Sequence, residues 1–557
     1  MKDYLQLNKL NCKNCYKCIR HCPVKSIKFS ENRANIIKDE CILCGTCFVV
    51  CPQNAKEIRN DVDNVKAAMA DGKRVVASVA PAFAANYEGV NIESMRNALK
   101  KLGFCYAEET AAGAQLVTEE YERLIDKGEQ DVIISSCCHS VNTLIQKYYP
   151  EALKYLAHVL SPMQAHCQKL KEENPDCYTV FIGPCISKKD EAESYKGYAD
   201  TVLTFEELSQ WMEESGVKFE PADEEYPKCL TRLYPVSGGI LRTMTKRNEK
   251  YSYIAVDGTE NCINALKDIS EGKLKNCFVE MSSCAGSCVG GPSMNKRRLL
   301  VTDYVAVDRY SGEGRYDVSA PEEGKLEKEF SGNLLHRAMP SNRIIEEILH
   351  KMGKTSPEQE LNCGSCGYNT CREKAVAVYQ GKADFTMCLP FLKDKAESFS
   401  DKIITNTPNG IIVLNEELEV QQINKAACSI MNIKDQSDIL GSPVVRVLNP
   451  TEYINVIDTK RNIHDKKIFL AEYGKYIEET VIYDPDYHIV MSIMRDITNE
   501  ERERTKRSDL CNNTIDVTDR VIEKQMRTVQ EIASLLGETV AETKVALNNL
   551  KESLSDE

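Results

Sequence analysis

Three stretches decide the fold: KRVVASVAPAF (73–83), DVIISSCCHS (131–140) and YTVFIGPC (178–185). Each is a short run rich in valine and isoleucine that ends in small or cysteine-containing residues. Helical stretches such as LVTEEYERLIDKG (116–128) separate them. That alternation predicts an α/β region from about 70 to 345, and open parallel sheets carry functional loops at the carboxyl ends of their strands. Three loops of this kind hold cysteines: SSCCHS with Cys137 and Cys138, GPCISKKDE with Cys185, and EMSSCAGSCVGG with Cys284 and Cys288.

The chain around them has 557 residues, which at roughly 150 residues per domain suggests three or four domains. A hydrophobic fraction of 42% with 28% charged residues is ordinary for a soluble globular protein. No apolar run reaches about 18 residues, and the start MKDYLQLNKL lacks the apolar core of a signal peptide. A cytoplasmic protein, neither membrane-spanning nor secreted, is expected. The net charge of −13 argues against nucleic acid as a partner, because phosphate binding needs a basic face. The unusual quantity is 25 cysteines, which in a reducing compartment read as metal or redox sites rather than disulfides.

Cys12, Cys15, Cys18 and Cys22 follow C-x2-C-x2-C-x3-C and precede Pro23; Cys41, Cys44, Cys47 and Cys51 repeat the spacing before Pro52. This duplication resembles a two-cluster bacterial ferredoxin, in which the fourth cysteine of each run crosses to the other cluster. The resemblance implies one 4Fe–4S cubane on Cys12, Cys15, Cys18 and Cys51, and a second on Cys41, Cys44, Cys47 and Cys22. A pair of zinc knuckles is the alternative, but zinc sites use two pairs of ligands rather than such a run.

The three cysteine loops of the α/β region resemble, in order and separation, the signature loops of FeFe-hydrogenases. That resemblance implies an H-cluster: a cubane on Cys138, Cys185, Cys284 and Cys288, with Cys288 bridging to a diiron azadithiolate unit carrying CO and CN. It places Cys137 as the proton-passing thiol and Lys188 as the cation facing a cyanide, a role that suits an anion in a dry pocket. Pro81, Ser282 and Met163 fall at cofactor-binding positions. Glu120, in TEEYE (118–122), resembles a relay carboxylate of the proton-path helix, although an exposed helix face explains it equally well. The glycine-rich stretches GSCVGG and VSGG (236–239) are expected to let backbone approach the cofactor. Cys105, Cys167, Cys177, Cys229, Cys262 and Cys277 belong to no motif and read as ordinary thiols.

Departures from the family matter. His139 follows Cys138 where proline is usual, Ser282 stands where catalytic enzymes place a methionine, and Met163 replaces a glutamine that would donate to the second cyanide. Thinner cofactor contacts with an intact relay thiol suggest low turnover.

Further along, Cys363, Cys366, Cys371 and Cys388 are spaced C-x2-C-x4-C-x16-C before Pro390. They resemble a small four-cysteine 4Fe–4S domain, with a zinc site as the alternative; CREKA reads as a helix start against the cluster. Residues 397–497 read as helix, strand, turn, strand and helix, ending in KIFLAEYGKYIEETVIY and YHIVMSIMRDIT. This resembles a PAS sensory domain; Cys428 lies in it without a haem or flavin motif. In the tail, Ile522, Val529, Leu536, Thr543 and Leu550 recur every seven residues, and Met526, Ala533, Val540 and Leu547 do so four residues on. An a/d heptad predicts a coiled coil, weakened at Gly537 by about 1 kcal/mol relative to alanine. A single packed helix is the alternative.

The expected architecture is therefore multidomain α/β and α+β: a ferredoxin domain at 1–62, an H-cluster domain at 63–348, a small 4Fe–4S domain at 349–395, a PAS domain at 396–500 and a coiled-coil tail at 501–557. The resemblances imply a sensory FeFe-hydrogenase catalysing H2 ⇌ 2 H⁺ + 2 e⁻. Its expected partners are H2, protons, a redox carrier such as ferredoxin, a second copy of the chain, and a phosphatase or kinase as signalling output. Electrons would leave through the ferredoxin cubanes on one side or the 363–388 cubane on the other. Two rivals remain: a catalytic hydrogenase regulated by its PAS domain, and an iron–sulfur assembly or scaffold protein without the diiron unit.

Overall fold

Val75, Ala77 and Val79 of the strand Arg74–Val79 enter one hydrophobic core, while Val76 faces the other way against Leu170 and Cys177. A strand apolar on both faces belongs inside a parallel sheet covered on both sides. The computed structural model places it so. The strands Tyr106–Glu109, Arg74–Val79, Cys177–Gly183 and Thr201–Thr204 form one parallel sheet in that order. Ser252–Asp257, Cys277–Ser282 and Val132–Ile134 form a second. The structure describes residues 4–8, 10–223, 228–295, 301–335 and 337–555. They fall into two units, 1–392 and 393–557.

Around the sheets, the duplicated cysteine runs each form a short helix, Lys17–Arg20 and Thr46–Val49. Each helix follows a residue in the left-handed region, Tyr16 and Gly45. Two antiparallel strand pairs flank them: Leu5–Leu7 with Lys56–Ile58, and Ile27–Ser30 with Arg33–Ile36. In the small cysteine region, Thr370 caps the helix Cys371–Tyr379 by accepting from Glu373 N–H. Its Ala375 packs with Ile345, Ile348 and Leu349 of the helix Asn342–Lys351. The division expected at 348/349 falls inside that helix, whose apolar face ties it to the small cysteine region.

The second unit carries a five-stranded antiparallel sheet in the order Val420–Ile423, Gly410–Asn415, Ile489–Asp496, Lys475–Asp484 and Ile463–Leu470. Ile412, Leu414, Val481, Val490 and Met494 alternate into its core, under the helices Lys425–Ile430 and Thr451–Thr459. A 58-residue helix, Thr498–Ser555, follows the last strand. No helix among the described residues is long and apolar enough to cross a membrane.

Candidate active site and cluster sites

The strand order brings the carboxyl ends of both parallel sheets around one cavity of about 110 Å³. Its walls include residues at or just after the ends of five strands, Ala80–Pro81, Thr110, Cys137–Cys138, Pro184–Cys185 and Ser282, together with Cys288 and Lys188. Cys284 lies within electrostatic reach of Cys138, Cys185 and Cys288. Burial raises the Cys138, Cys284 and Cys288 thiols, and neighbouring thiolates raise them further; Cys288 is pushed up to about 12. Four mutually repelling thiols gathered at one place fit an iron–sulfur cluster, which binds them deprotonated.

Cys137 lines the same cavity, and burial pushes its thiol up to about 12 despite the Tyr121 hydroxyl 3.2 Å away and the Lys188 charge. It therefore carries its proton at neutral pH. Lys188 donates to the Cys137 carbonyl at 3.1 Å and to Glu191 at 2.5 Å. Glu191, fully buried, also receives Lys328 at 2.6 Å and Ser161 Oγ at 3.1 Å. Burial pushes the Glu191 carboxyl up, but the two lysines hold it well below the usual carboxylate range. A cation thus faces the cavity, anchored by a buried anion.

Pro81, Met163 and Ser282 line the cavity. Gln164, beside Met163, turns its Oε1 to Lys328 at 2.7 Å and to the Ser161 backbone N–H instead. His139 opens the helix His139–Tyr148, with Nε2 2.9 Å from Asp190 and no partner for Nδ1 among the described residues. Glu120 does not line the cavity: its side chain, 13% exposed, pairs with Arg123 at 2.5 Å. Two glycines of the stretches GSCVGG and VSGG have a packing role. A Cβ at Gly239 would stand 2.0 Å from the Leu233 carbonyl, and one at Gly291 2.8 Å from the Cys288 carbonyl. Both serve close packing of backbone on backbone.

Two cavity residues were not singled out in the sequence, although Glu280 opens the stretch EMSSCAGSCVGG. Glu280, on the strand Cys277–Ser282, accepts the Gly238 and Leu241 N–H groups at 3.0 and 3.2 Å. Burial nevertheless raises its carboxyl to about 7, and its charge reaches Cys137. Tyr234 lines the wall with its hydroxyl 2.7 Å from Thr118 Oγ1.

In the ferredoxin region Cys18 has Cys12, Cys15 and Cys51 as electrostatic neighbours, and Cys47 has Cys22, Cys41 and Cys44. These are the two crossed sets. Among the described residues no three cysteine, histidine or acidic groups close around a single metal ion; a cubane holds its thiolates further apart than one ion does. Cys44 lies within electrostatic reach of Cys284. Gly45 permits that approach, since a Cβ there would stand 2.5 Å from Pro292 and 3.1 Å from Ile186.

Cys363, Cys366, Cys371 and Cys388 line one further recess. Burial pushes the Lys374 ammonium beside it down to about 8 even though Cys366 and Cys388 favour its charge. The recess is not on the far side from the ferredoxin region, as chain order suggested. Arg20 donates to the carbonyls of Gly364 and Ser365, both at 3.2 Å, and Lys25 to that of Gly367 at 3.1 Å. Buried Tyr368 feels both Cys366 and Cys22. Chain order places the set after the active-site loops, but these contacts fold it back onto the first iron–sulfur region.

Parallel sheets presenting a thiol-walled cavity, with further cysteine sets beside it, define an iron–sulfur redox protein. Residues 73–292 match the family model described as iron only hydrogenase large subunit, C-terminal domain; 4–52 match a 4Fe–4S dicluster domain and 359–390 a putative Fe–S cluster domain. The chain thus carries an iron-only hydrogenase large-subunit domain joined to a 4Fe–4S ferredoxin domain. It is 25% identical to the periplasmic [Fe] hydrogenase large subunit of Nitratidesulfovibrio vulgaris, over 56% of this chain and 91% of that one. Against iron hydrogenase 1 of Clostridium pasteurianum it is also 25% identical, over 54% of this chain and 67% of that one. It is 30% identical to a cytosolic Fe-S cluster assembly factor of Kluyveromyces lactis, over 25% of this chain and 34% of that one.

Proposed function

We propose that the protein is a sensory FeFe-hydrogenase of low turnover, interconverting H2 with protons and electrons and passing redox state to its second unit. The observation that carries this reading is the meeting of Cys137, Lys188, Cys138, Cys185 and Cys288 at one cavity, with Cys284 within electrostatic reach of the last three. An H-cluster bound there would supply the metal chemistry that splits H2. Around it, Cys137 holds a transferable proton, and Lys188 with its Glu191 anchor offers the cationic donor that a cyanide ligand requires. Glu280, titrating near neutrality beside Cys137, is suited to receive that proton. Ser282 and Met163 leave the cofactor with fewer contacts than a methionine and a glutamine would.

In the second unit, the five-stranded sheet under two short helices has the inventory expected of a PAS domain. The helix after it exposes the heptad stripe expected of a coil, which supports a homodimer and a docked phosphatase or kinase. The location proposed is the cytoplasm, with no role for nucleic acid or membrane.

The assembly-factor relative supports a second reading, a cluster-assembly protein without the diiron unit. Cys137 and Lys188 would have no task there. The test is an infrared spectrum of anaerobic protein after loading with the diiron cofactor, first under argon and then under hydrogen. Sharp CO and CN bands that change with hydrogen are expected. Their absence after loading under conditions proven on a known hydrogenase would give the lead to the assembly reading.

A further inference from the structure

The hydrogen bonds that run from Cys137 through Tyr121 end inside the protein. Cys137 meets Tyr121, Tyr121 meets Ser136 Oγ at 3.0 Å, and Ser136 Oγ donates to the Val159 carbonyl at 2.7 Å. Tyr121 and Ser136 are fully buried. On another wall of the cavity the hydrogen bonding continues. Thr110, in the turn after the strand Tyr106–Glu109, lines the cavity and places Oγ1 2.7 Å from Ser78 Oγ. Ser78 Oγ lies 2.7 Å from His166 Nδ1, and His166 Nε2 lies 3.0 Å from Glu108 Oε2. Ser78 and His166 are 0% exposed, whereas the Glu108 side chain is 19% exposed.

The fold builds this line deliberately in space. Ser78 and Glu108 are register partners on adjacent parallel strands, and the helix Pro162–Glu173 lays His166 across that face. Gly113 makes room, since a Cβ there would stand 2.6 Å from that of His166.

We propose that Glu108, His166, Ser78 and Thr110 form a second proton path between solvent and the cavity. The inference rests on the hydrogenase reading, because it delivers protons to that site. A proton taken up by Glu108 passes to His166 Nε2 as the Nδ1 proton moves to Ser78 Oγ. The Ser78 proton moves on to Thr110 Oγ1, and that of Thr110 enters the cavity. Rotation of the two hydroxyls and tautomerisation of the imidazole from Nε2–H back to Nδ1–H restore the line, so the net change is one proton moved from solvent to the cavity. Burial pushes the Glu108 carboxyl up, but His166 and Lys169 outweigh it and bring it down to about 2, so the outer end is anionic at neutral pH and passes on a proton it receives rather than holding it. The other groups facing this end are Tyr106, whose hydroxyl donates to Glu108 at 2.9 Å, and Glu173, which pairs with Lys169 at 2.8 Å.

The test uses full-length protein loaded with the diiron cofactor and follows its CO and CN infrared bands after a pH jump. Gln at position 166 can still hydrogen-bond Ser78 and Glu108 but cannot carry a proton. His166→Gln and Glu108→Gln should slow the band response at least tenfold, with the same final spectra and a melting temperature within a few degrees of wild type. If His166→Gln does not fold, Ser78→Ala interrupts the same line and should slow the response alike. Wild-type rates in these variants would overturn the path while leaving the hydrogenase reading intact. Slowing accompanied by changed final spectra would assign the line a structural role and overturn it as well. No bands in the loaded wild type would overturn the hydrogenase reading, and the path with it.

Discussion

At Glu280 a carboxyl is buried with only backbone N–H groups to support its charge, and its affinity for a proton rises to about 7. Between its ordinary value and about 7, the folded protein keeps a proton that the unfolded chain has released. Stability from this group is therefore present at low pH and lost as pH rises through that window. Relative to Glu280→Gln, wild type should lose on the order of 2 kcal/mol between pH 5 and pH 8 in urea unfolding. Parallel profiles would contradict the assignment. Glu191 is the opposite case, an anion between Lys188 and Lys328, all three largely inside the protein. Glu191→Leu leaves two buried cations unpaired and should cost about 3–5 kcal/mol, measured the same way. Cys137, Cys138, Cys185, Cys288 and Lys188, which the structure brings to one cavity, were pointed to by the resemblance of their loops to those of a known family. Glu280 was not, since burial and N–H groups some forty residues earlier create its property. The same holds for His166, whose partners lie on two strands distant in sequence.

Elements reach one another here through glycines at contacts. Gly45 sits in the left-handed region with Pro292 and Ile186 where a side chain would go. Gly45→Ala meets both strain and overlap, and should cost about 1–3 kcal/mol and open the junction between the ferredoxin loop and the hydrogenase domain. Freeze-quench electron paramagnetic resonance should then show hydrogen-driven reduction of the ferredoxin clusters slowed, while dithionite still reduces them. Unchanged kinetics would mean that the junction is not the electron route. Strands and helices of the parallel sheets were legible from alternation and cysteine-bearing turns. The docking of the 363–388 region was not, because Arg20 and Lys25 hold it by donating to carbonyls, and carbonyls leave no mark in a sequence.

For the molecule as a whole, the remaining question is what covers the long helix. Thr498–Ser555 spans about 87 Å at 1.5 Å per residue. Ile522, Met526, Val529, Val540 and Leu547 are 52–62% exposed along it. Their seven-residue spacing keeps them on one seam, and each such side chain buried gives about 1–2 kcal/mol. A second copy of the chain, in parallel register, would cover every position with its own equivalent. Full-length protein should accordingly sediment as a dimer. Met526→Asp with Val540→Asp places four charges in that seam, two from each chain, and should yield monomers at micromolar concentration. The infrared bands of the loaded cofactor should be unchanged, because no residue of this helix lines the cavity. A dimer that survives the double substitution would move the interface to the five-stranded sheet. A wild-type monomer would leave the stripe for another signalling helix, and mixing experiments with candidate output proteins would then replace sedimentation as the deciding measurement.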